Sequence, residues 1–345
     1  METRLRYTGC LLGGAVGDAL GAPVEFMSTP EIHRKYGPSG IGDYAPAYGR
    51  RGAITDDTQM TLFTAEGLIL HATRNGEESV AASIYHAYLR WLSTQGVVTQ
   101  DRLLRRHGGC AVADGILVGF KELHSRRAPG NACLSSLASG AMGTMDEPIN
   151  DSKGCGGVMR IAPVGLFYDP ARAFEVGCEA AAITHGHPTG YLAAGCQAAV
   201  ISGLADGTPL PEAIDHALTI TRSRSKSGET VDAVEKALDA WRSGAPATAE
   251  TVETLGKGWI AEEALAIGIY CALAAGGDFE RGVRLAVNHG GDSDSTGAIA
   301  GNILGVHLGI QAIHRGYLNN LELADLIEEI GTDLHQYTQR GRGSY

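Results

Sequence analysis

The chain has 345 residues, 44% hydrophobic and 19% charged with 12 prolines, a balance that excludes a disordered, collagen-like or coiled-coil protein and allows a large buried core. Its formal charge of −11 argues against an undirected basic surface for nucleic acid or anionic lipid, because counterion release needs clustered lysine and arginine, and it leaves acidic groups to hold cations. The 48 glycines are about twice the usual share while aromatics are only 6%, so the glycines serve close packing or turns that wrap a ligand.

At the N-terminus, Arg4 and Arg6 precede Gly9-Cys10-Leu11-Leu12-Gly13-Gly14-Ala15-Val16, which mimics a short signal peptide. The glycines and Asp18 spoil its apolar region, so the expectation is a cytoplasmic chain that is not secreted. No apolar run approaches ~18 residues, and no membrane partner is expected. Gly13, Gly17 and Gly21 recur every four residues and give this first helix a bare ridge where another backbone can approach. Helical spacing then marks 58–72, 80–92, 173–183, 189–204, 213–220, 231–241, 261–275, 280–287, 296–313 and 321–336. Glycine, proline, serine and asparagine punctuate 37–51, 126–157 and 223–258, and Arg222-Ser223-Arg224-Ser225-Lys226-Ser227-Gly228 reads as a solvated surface excursion. A second ridge, Gly297, Gly301, Gly305 and Gly309, lies in the 296–313 helix. Each ridge glycine costs up to about 1 kcal/mol of helix propensity, which a solvent face would not sustain, so both helices are expected to be central. Alternating and β-branched runs are almost absent. The fold expected is an all-α multi-helix bundle, and with no linker or repeat in view residues 1–345 are read as one domain. Seven cysteines without CxxC or Cys/His spacing indicate reduced thiols, with Cys178, Cys196 and Cys271 in apolar helices as core residues.

Two segments carry the chemistry. Ile54-Thr55-Asp56-Asp57-Thr58-Gln59 and Asn288-His289-Gly290-Gly291-Asp292-Ser293-Asp294-Ser295-Thr296-Gly297 each stand directly before a helix. Thr55 as N-cap with first-turn acids would account for the first by itself. Capping needs one short polar residue, however, whereas these segments supply four aspartates and several hydroxyls. If the two helix starts converge, four carboxylates share a small volume, and two divalent cations would balance their charge. Hard oxygen donors without a neighbouring cysteine point to Mg²⁺ or Mn²⁺ and away from zinc. Glu25, just past the first glycine helix, is placed at the mouth of such a site, and Asp18 inside that helix is read as a buried hydrogen-bonding acid.

A fourth feature, Asp151-Ser152-Lys153-Gly154-Cys155-Gly156-Gly157-Val158-Met159-Arg160, can expose successive backbone N–H groups to a phosphate. It has neither the spacing of a P-loop nor that of a dinucleotide fold, so an ordinary tight turn stands beside that reading. His185 and His187 precede another helix and suit a cap, a core position or a ligand contact. Trp259 with Glu262 and Glu263 sets an aromatic beside acids at a helix start.

Taken together these strings resemble the ADP-ribosylglycohydrolase family, from Gly13 to about Gly309. The resemblance implies the family's orthogonal all-α bundle and two metal ions held by Thr55, Asp56, Asp57, Asp292, Asp294 and Ser295. It implies that Glu25 is the acid that closes over the substrate and reaches the metal site, that Ser152, Lys153, Gly154, Cys155, Gly156 and Gly157 wrap diphosphate and ribose, and that His185 lines the same cleft. Lys153 and Cys155 stand where some relatives carry an aromatic and an asparagine. The Asp292-Ser293-Asp294-Ser295 form and the stretch Gly258-Trp259-Ile260-Ala261-Glu262-Glu263-Ala264-Leu265 look more like arginine-specific members, which implies an N-glycosidic bond in an ADP-ribosylated protein. In that chemistry Asp56 or Asp57 orients or deprotonates the attacking water, and Glu25 or Asp56 supplies a proton to the leaving guanidine. Hydrolysis of serine-linked or other O-linked ADP-ribose, a non-enzymatic homologue, and an immunity protein that occludes an ADP-ribosyltransferase toxin are the alternatives.

Overall fold

In the computed structural model, which describes residues 2–74, 78–112 and 114–342, the first helix, α1 (Thr3–Gly21), is buried from Tyr7 to Gly21. The chain continues through α2 (Thr29–Tyr36), a short antiparallel ribbon of β1 (Pro46–Ala47) and β2 (Arg50–Arg51), α3 (Asp56–Thr73), α4 (Val80–Thr94), α5 (Gln100–His107) and α6 (Asn131–Ser139). Next come α7 (Ala162–Phe167), α8 (Pro170–Ala182), α9 (Pro188–Ala205), α10 (Leu210–Arg222), α11 (Gly228–Arg242) and α12 (Ala249–Leu255). The last are α13 (Ala261–Ala274), α14 (Phe279–Val287), α15 (Ser293–Leu308), α16 (Arg315–Asn320) and α17 (Ala324–Arg342). The protein is an all-α bundle.

At its centre α1 and α15 run antiparallel with their backbones in contact, Gly9 opposite Gly305, Gly13 opposite Gly301 and Gly17 opposite Gly297. A Cβ built on Gly297 would lie 2.5 Å from the Gly17 carbonyl oxygen, and one on Gly9 2.5 Å from that of Gly305. The fourth residue of the α1 ridge, Gly21, comes against Ser293 and Asp294 at the start of α15. The two glycine ridges therefore face each other, and their register sets which residues meet at the end of the pair. Gly309 also lies against Gly9, but it does not continue the helix. It has φ +78° and ends α15 at Leu308, so the expected 296–313 helix is shorter at its C-terminus, and 310–312 form a separate tight turn.

Around this pair α13, α14 and α17 pack on the central helices, α8 packs on α9, and α3 on α4. Cys178, Cys196 and Cys271 are core residues. The stretches read as punctuation contain short helices that periodicity over a long window does not reveal: α6 within 126–157 and α12 within 223–258. The start of α17 at Ala324 leaves α16 separate from it, so the expected 321–336 segment begins too early. Residues 222–227 are exposed or half-buried, and ion pairs join Arg222 to Glu235 at 2.5 Å and Arg224 to Glu175.

Two buried ion pairs fix loops to helices. Glu66 accepts from Arg90 Nη2 at 2.8 Å and from the Ile116 and Leu117 amides at 2.8 and 3.0 Å. Glu322 pairs with Arg127, whose guanidinium also donates to the Ile54 carbonyl at 2.6 Å. Apart from Arg127 Nε, which is buried without a partner, these groups are engaged, and such pairs act chiefly to hold one arrangement. The second one braces the residues immediately before α3.

Candidate metal centre and ligand loop

The register of α1 on α15 brings three chain segments to one place: the turn after α1 that carries Glu25, the start of α3, and the start of α15. Carboxylate oxygens of Glu25, Asp292 and Asp294 lie within 4.8 Å of one another, and all three residues are buried. Asp56 and Asp57, both buried at the start of α3, are not among the three whose oxygens close within 4.8 Å, but they feel the charge of Asp294. Burial, then like charge from Asp294 and its neighbours, pushes Glu25 up to about 11, and holds Asp56, Asp57 and Asp292 well above the usual carboxylate range. Asp294 is also raised, by burial, against hydrogen bonds that favour its ionised form.

Capping does not absorb these acids. Thr55 is the N-cap of α3, its Oγ1 accepting from the Asp57 amide at 3.3 Å. Asp292 occupies the N-cap position of α15 without a side-chain capping bond, and its Oδ2 instead accepts from Cys155 Sγ at 2.9 Å. Two carboxylate oxygens, Glu25 Oε2 and Asp57 Oδ1, are buried with no hydrogen-bond partner. An orphaned buried oxygen costs roughly 1–3 kcal/mol, more when charged, and two of them facing further carboxylates suit a divalent cation. The converging carboxylates offer oxygen, which fits Mg²⁺ or Mn²⁺, but the expectation of a site without a neighbouring cysteine does not hold, because Cys155 Sγ lies 2.9 Å from Asp292 Oδ2.

Asp18 is the buried acid expected. It accepts from the Thr55 amide at 2.9 Å and the Thr58 amide at 3.1 Å, and from Thr58 Oγ1 at 2.5 Å, so α1 caps the start of α3. Burial and then Asp294 raise it to about 7.

The 152–157 loop lies against the segment before α13. The Cys155 amide donates to the Trp259 carbonyl at 3.2 Å and the Ala261 amide to that of Lys153 at 2.9 Å, with Gly154 opposite Ile260. Cys155 thereby reaches the acidic centre, where Ser295 Oγ donates to its sulfur at 3.6 Å. Burial and the Asp292 charge push the thiol well up, so it stays a protonated donor. Lys153 is turned away from any bare-cation role: its Nζ meets Glu262 at 2.5 Å and Glu229 at 2.7 Å. Glu263 accepts from the Lys257 and Gly258 amides at 2.9 and 3.3 Å and fixes the turn before α13. His185 is buried beneath the loop, where a Cβ on Gly156 would lie 2.9 Å from its Cε1. Its Nδ1 lies 2.8 Å from Thr184 Oγ1, and burial with the Arg160 charge lowers it to about 3. It is a neutral ring. His187 caps α9.

The whole chain agrees with this geometry. Residues 1–343 match the model of a family described as ADP-ribosylglycohydrolase. The chain belongs to the ADP-ribosylglycohydrolase family. It is 26% identical to the ADP-ribosyl-[dinitrogen reductase] glycohydrolase of Rhodospirillum rubrum, over 92% of this chain and 90% of that one. It is 24% identical to the ADP-ribosylarginine hydrolase Tri1 of Pseudomonas putida, over 95% of this chain and 77% of that one. A solved structure, an ADP-ribosylglycohydrolase-related protein complex, superposes with a TM-score of 0.68 at 27% identity, covering 98% of this chain and 99% of that one. Membership makes the protein a hydrolase of the ADP-ribosylglycohydrolase family, whose substrates are ADP-ribosylated proteins.

Two residues near this acidic cluster have no signal in the sequence reading. Phe26, next to Glu25, is exposed and stacks on Trp259. Tyr48 sits at the tip of the β1–β2 ribbon with φ +49°, its ring over the Arg127 guanidinium at 5.9 Å. Its phenol is raised by burial and then by Glu25, Asp294, Asp18 and Asp56. Positive φ in a tyrosine is a strained choice, and only the folded ribbon reveals it. Among the described residues no helix is long and apolar enough to cross a membrane.

Proposed function

We propose that the protein is a divalent-cation-dependent hydrolase that removes ADP-ribose from arginine side chains of modified proteins. The observation that carries this reading is the convergence of Glu25, Asp292 and Asp294 within 4.8 Å, with the orphaned oxygens of Glu25 and Asp57 beside them, in a chain of this family. The ligands assigned are Thr55, Asp56, Asp57, Asp292, Asp294 and Ser295, around two Mg²⁺ or Mn²⁺ ions, with Glu25 reaching the same site. Bound there, the cations supply electrostatic polarisation and make a water more acidic.

The chain's own groups do the rest. The Ser152–Gly157 loop, with His185 packed beneath it, wraps the diphosphate and ribose and fixes the anomeric carbon above the acids. Asp56 or Asp57 orients the attacking water and takes its proton as the new C–O bond forms. The same ionised carboxylates stabilise positive charge that develops on the ribose ring. The C–N bond to the guanidine breaks with its electron pair on nitrogen, and Glu25 or Asp56 returns a proton there. Arginine is favoured over serine because the Asp292-Ser293-Asp294-Ser295 motif and the 258–265 stretch look more like those of arginine-specific members, and because an acidic mouth suits a guanidinium. The name of the Pseudomonas putida relative supports the same choice. Peptides carrying ADP-ribose on arginine or on serine, incubated with the chain and Mg²⁺ or Mn²⁺, test it: release from arginine is expected, and release from serine alone would overturn the assignment.

A further inference from the structure

The side chain of Phe26 is 72% exposed, although Val24 and Glu25 before it are buried. The turn that follows α1 explains the reversal. The Val24 amide donates to the Gly21 carbonyl at 2.8 Å and the Met27 amide to that of Val24 at 2.9 Å, which rolls Val24 and Glu25 inward and Phe26 outward. Outside, its ring stacks on Trp259 with centroids 5.8 Å apart and planes 18° from parallel. Trp259 is itself 41% exposed and belongs to the ligand-loop edge, since its carbonyl accepts from the Cys155 amide. The preceding Gly258, at φ +81°, lies against Asp292 and Thr296. The far side of the turn is already fixed, with Thr29 Oγ1 donating to Glu253 at 2.5 Å and the Gly290 amide to the same carboxylate at 3.0 Å. Glu25 stands between these anchors, facing two carboxylates that repel it once ionised.

We propose that Phe26 and Trp259 form a positioning clamp that holds Glu25 over Asp292 and Asp294, so that a divalent cation meets preformed oxygens, and that the clamp ties this acid to the ligand loop. The inference rests on the metal reading given above. Neither ring is a catalytic residue; both act through Glu25. A stacked aromatic pair is worth a few-fold to tenfold in an equilibrium beyond the area it covers.

Calorimetric titration of the full chain with Mn²⁺, without substrate, tests the clamp. Phe26→Ala and Trp259→Ala should each weaken Mn²⁺ binding about fivefold, Phe26→Tyr should retain it, and the double alanine variant should lose little more than either single one. Because both rings are partly exposed, circular dichroism should report an unchanged helical fold in every variant. Unchanged Mn²⁺ affinity in both alanine variants would overturn the clamp while leaving the metal site standing. So would a raised KM with unchanged Mn²⁺ affinity, which would make the pair a platform for substrate. Failure of the unaltered chain to take up Mn²⁺ would overturn the metal reading, and the clamp with it.

Discussion

Asp57 illustrates how one residue serves two ends. Its backbone amide closes the Thr55 cap, and Thr55 Oγ1 donates to Oδ2 at 3.3 Å, while Oδ1 is buried without a partner. Replacing such a carboxylate by its amide removes like charge from the cluster. Asp57→Asn and Asp292→Asn are therefore expected to raise the thermal midpoint in EDTA while lowering kcat by about 10²-fold or more, a pairing of gain and loss common at functional sites. Thermal melts and initial rates on the same preparations check this. The pH dependence has a definite sign. Between about pH 4 and 7 the folded chain keeps a proton on Asp18 that the unfolded chain has released, and Glu25 extends the same effect up to about 11. Stability in EDTA should fall as pH rises through that window, and Mn²⁺ should restore more of it at pH 8 than at pH 5. A midpoint that rises with pH in EDTA would contradict the clustered carboxylates. At this scale the acids themselves were legible in the sequence, since Asp56, Asp57, Asp292 and Asp294 stand in two dense polar strings. Phe26 and Tyr48 were not, because stacking and positive φ are properties of a folded turn.

The element that matters most is the α1–α15 pair. A side chain on Gly17 or Gly301 would run into the backbone of the facing helix, which has no rotamer to yield. Alanine there gains up to ~1 kcal/mol of helix propensity but pays overpacking of about 1–3 kcal/mol or more. Gly17→Ala and Gly301→Ala are expected to lower the urea midpoint, and to weaken Mn²⁺ binding because the same register carries Glu25 to Asp294. Alanine at Gly37, which has open space around it but φ +90°, should cost stability without touching Mn²⁺ affinity. The long amphipathic or apolar helices were legible to within a few residues, since 58–72, 80–92 and 189–204 fall inside α3, α4 and α9. Short elements such as α6 and α12 escaped because two turns of helix carry too little period to stand out from polar surroundings. The overrun at the end of α15 has a different cause: Gly309 fits the spacing of the ridge, yet it is the residue whose left-handed backbone stops the helix.

For the molecule as a whole, α17 returns to lie on α1, with Gly331 against Thr8. We infer that residues 1–345 melt as one domain. Scanning calorimetry should give a single transition whose midpoint rises with Mn²⁺, by an amount equivalent to about 2.7 kcal/mol when the ion is a hundredfold above its dissociation constant. Two transitions, or one indifferent to Mn²⁺, would count against a site built from both ends of the chain.

Sequence alone was sufficient for the helical class, the burial of both glycine ridges and the place of four aspartates at two helix starts, because periodicity, glycine spacing and local charge density are written in neighbouring residues. Only the tertiary structure decided that Asp292 leaves α15 uncapped to face Glu25, that Cys155 donates to it, and that Lys153 is spent on two glutamates. Those outcomes depend on which surfaces come within 3–5 Å of each other, and that distance is set by backbone register between segments far apart along the chain.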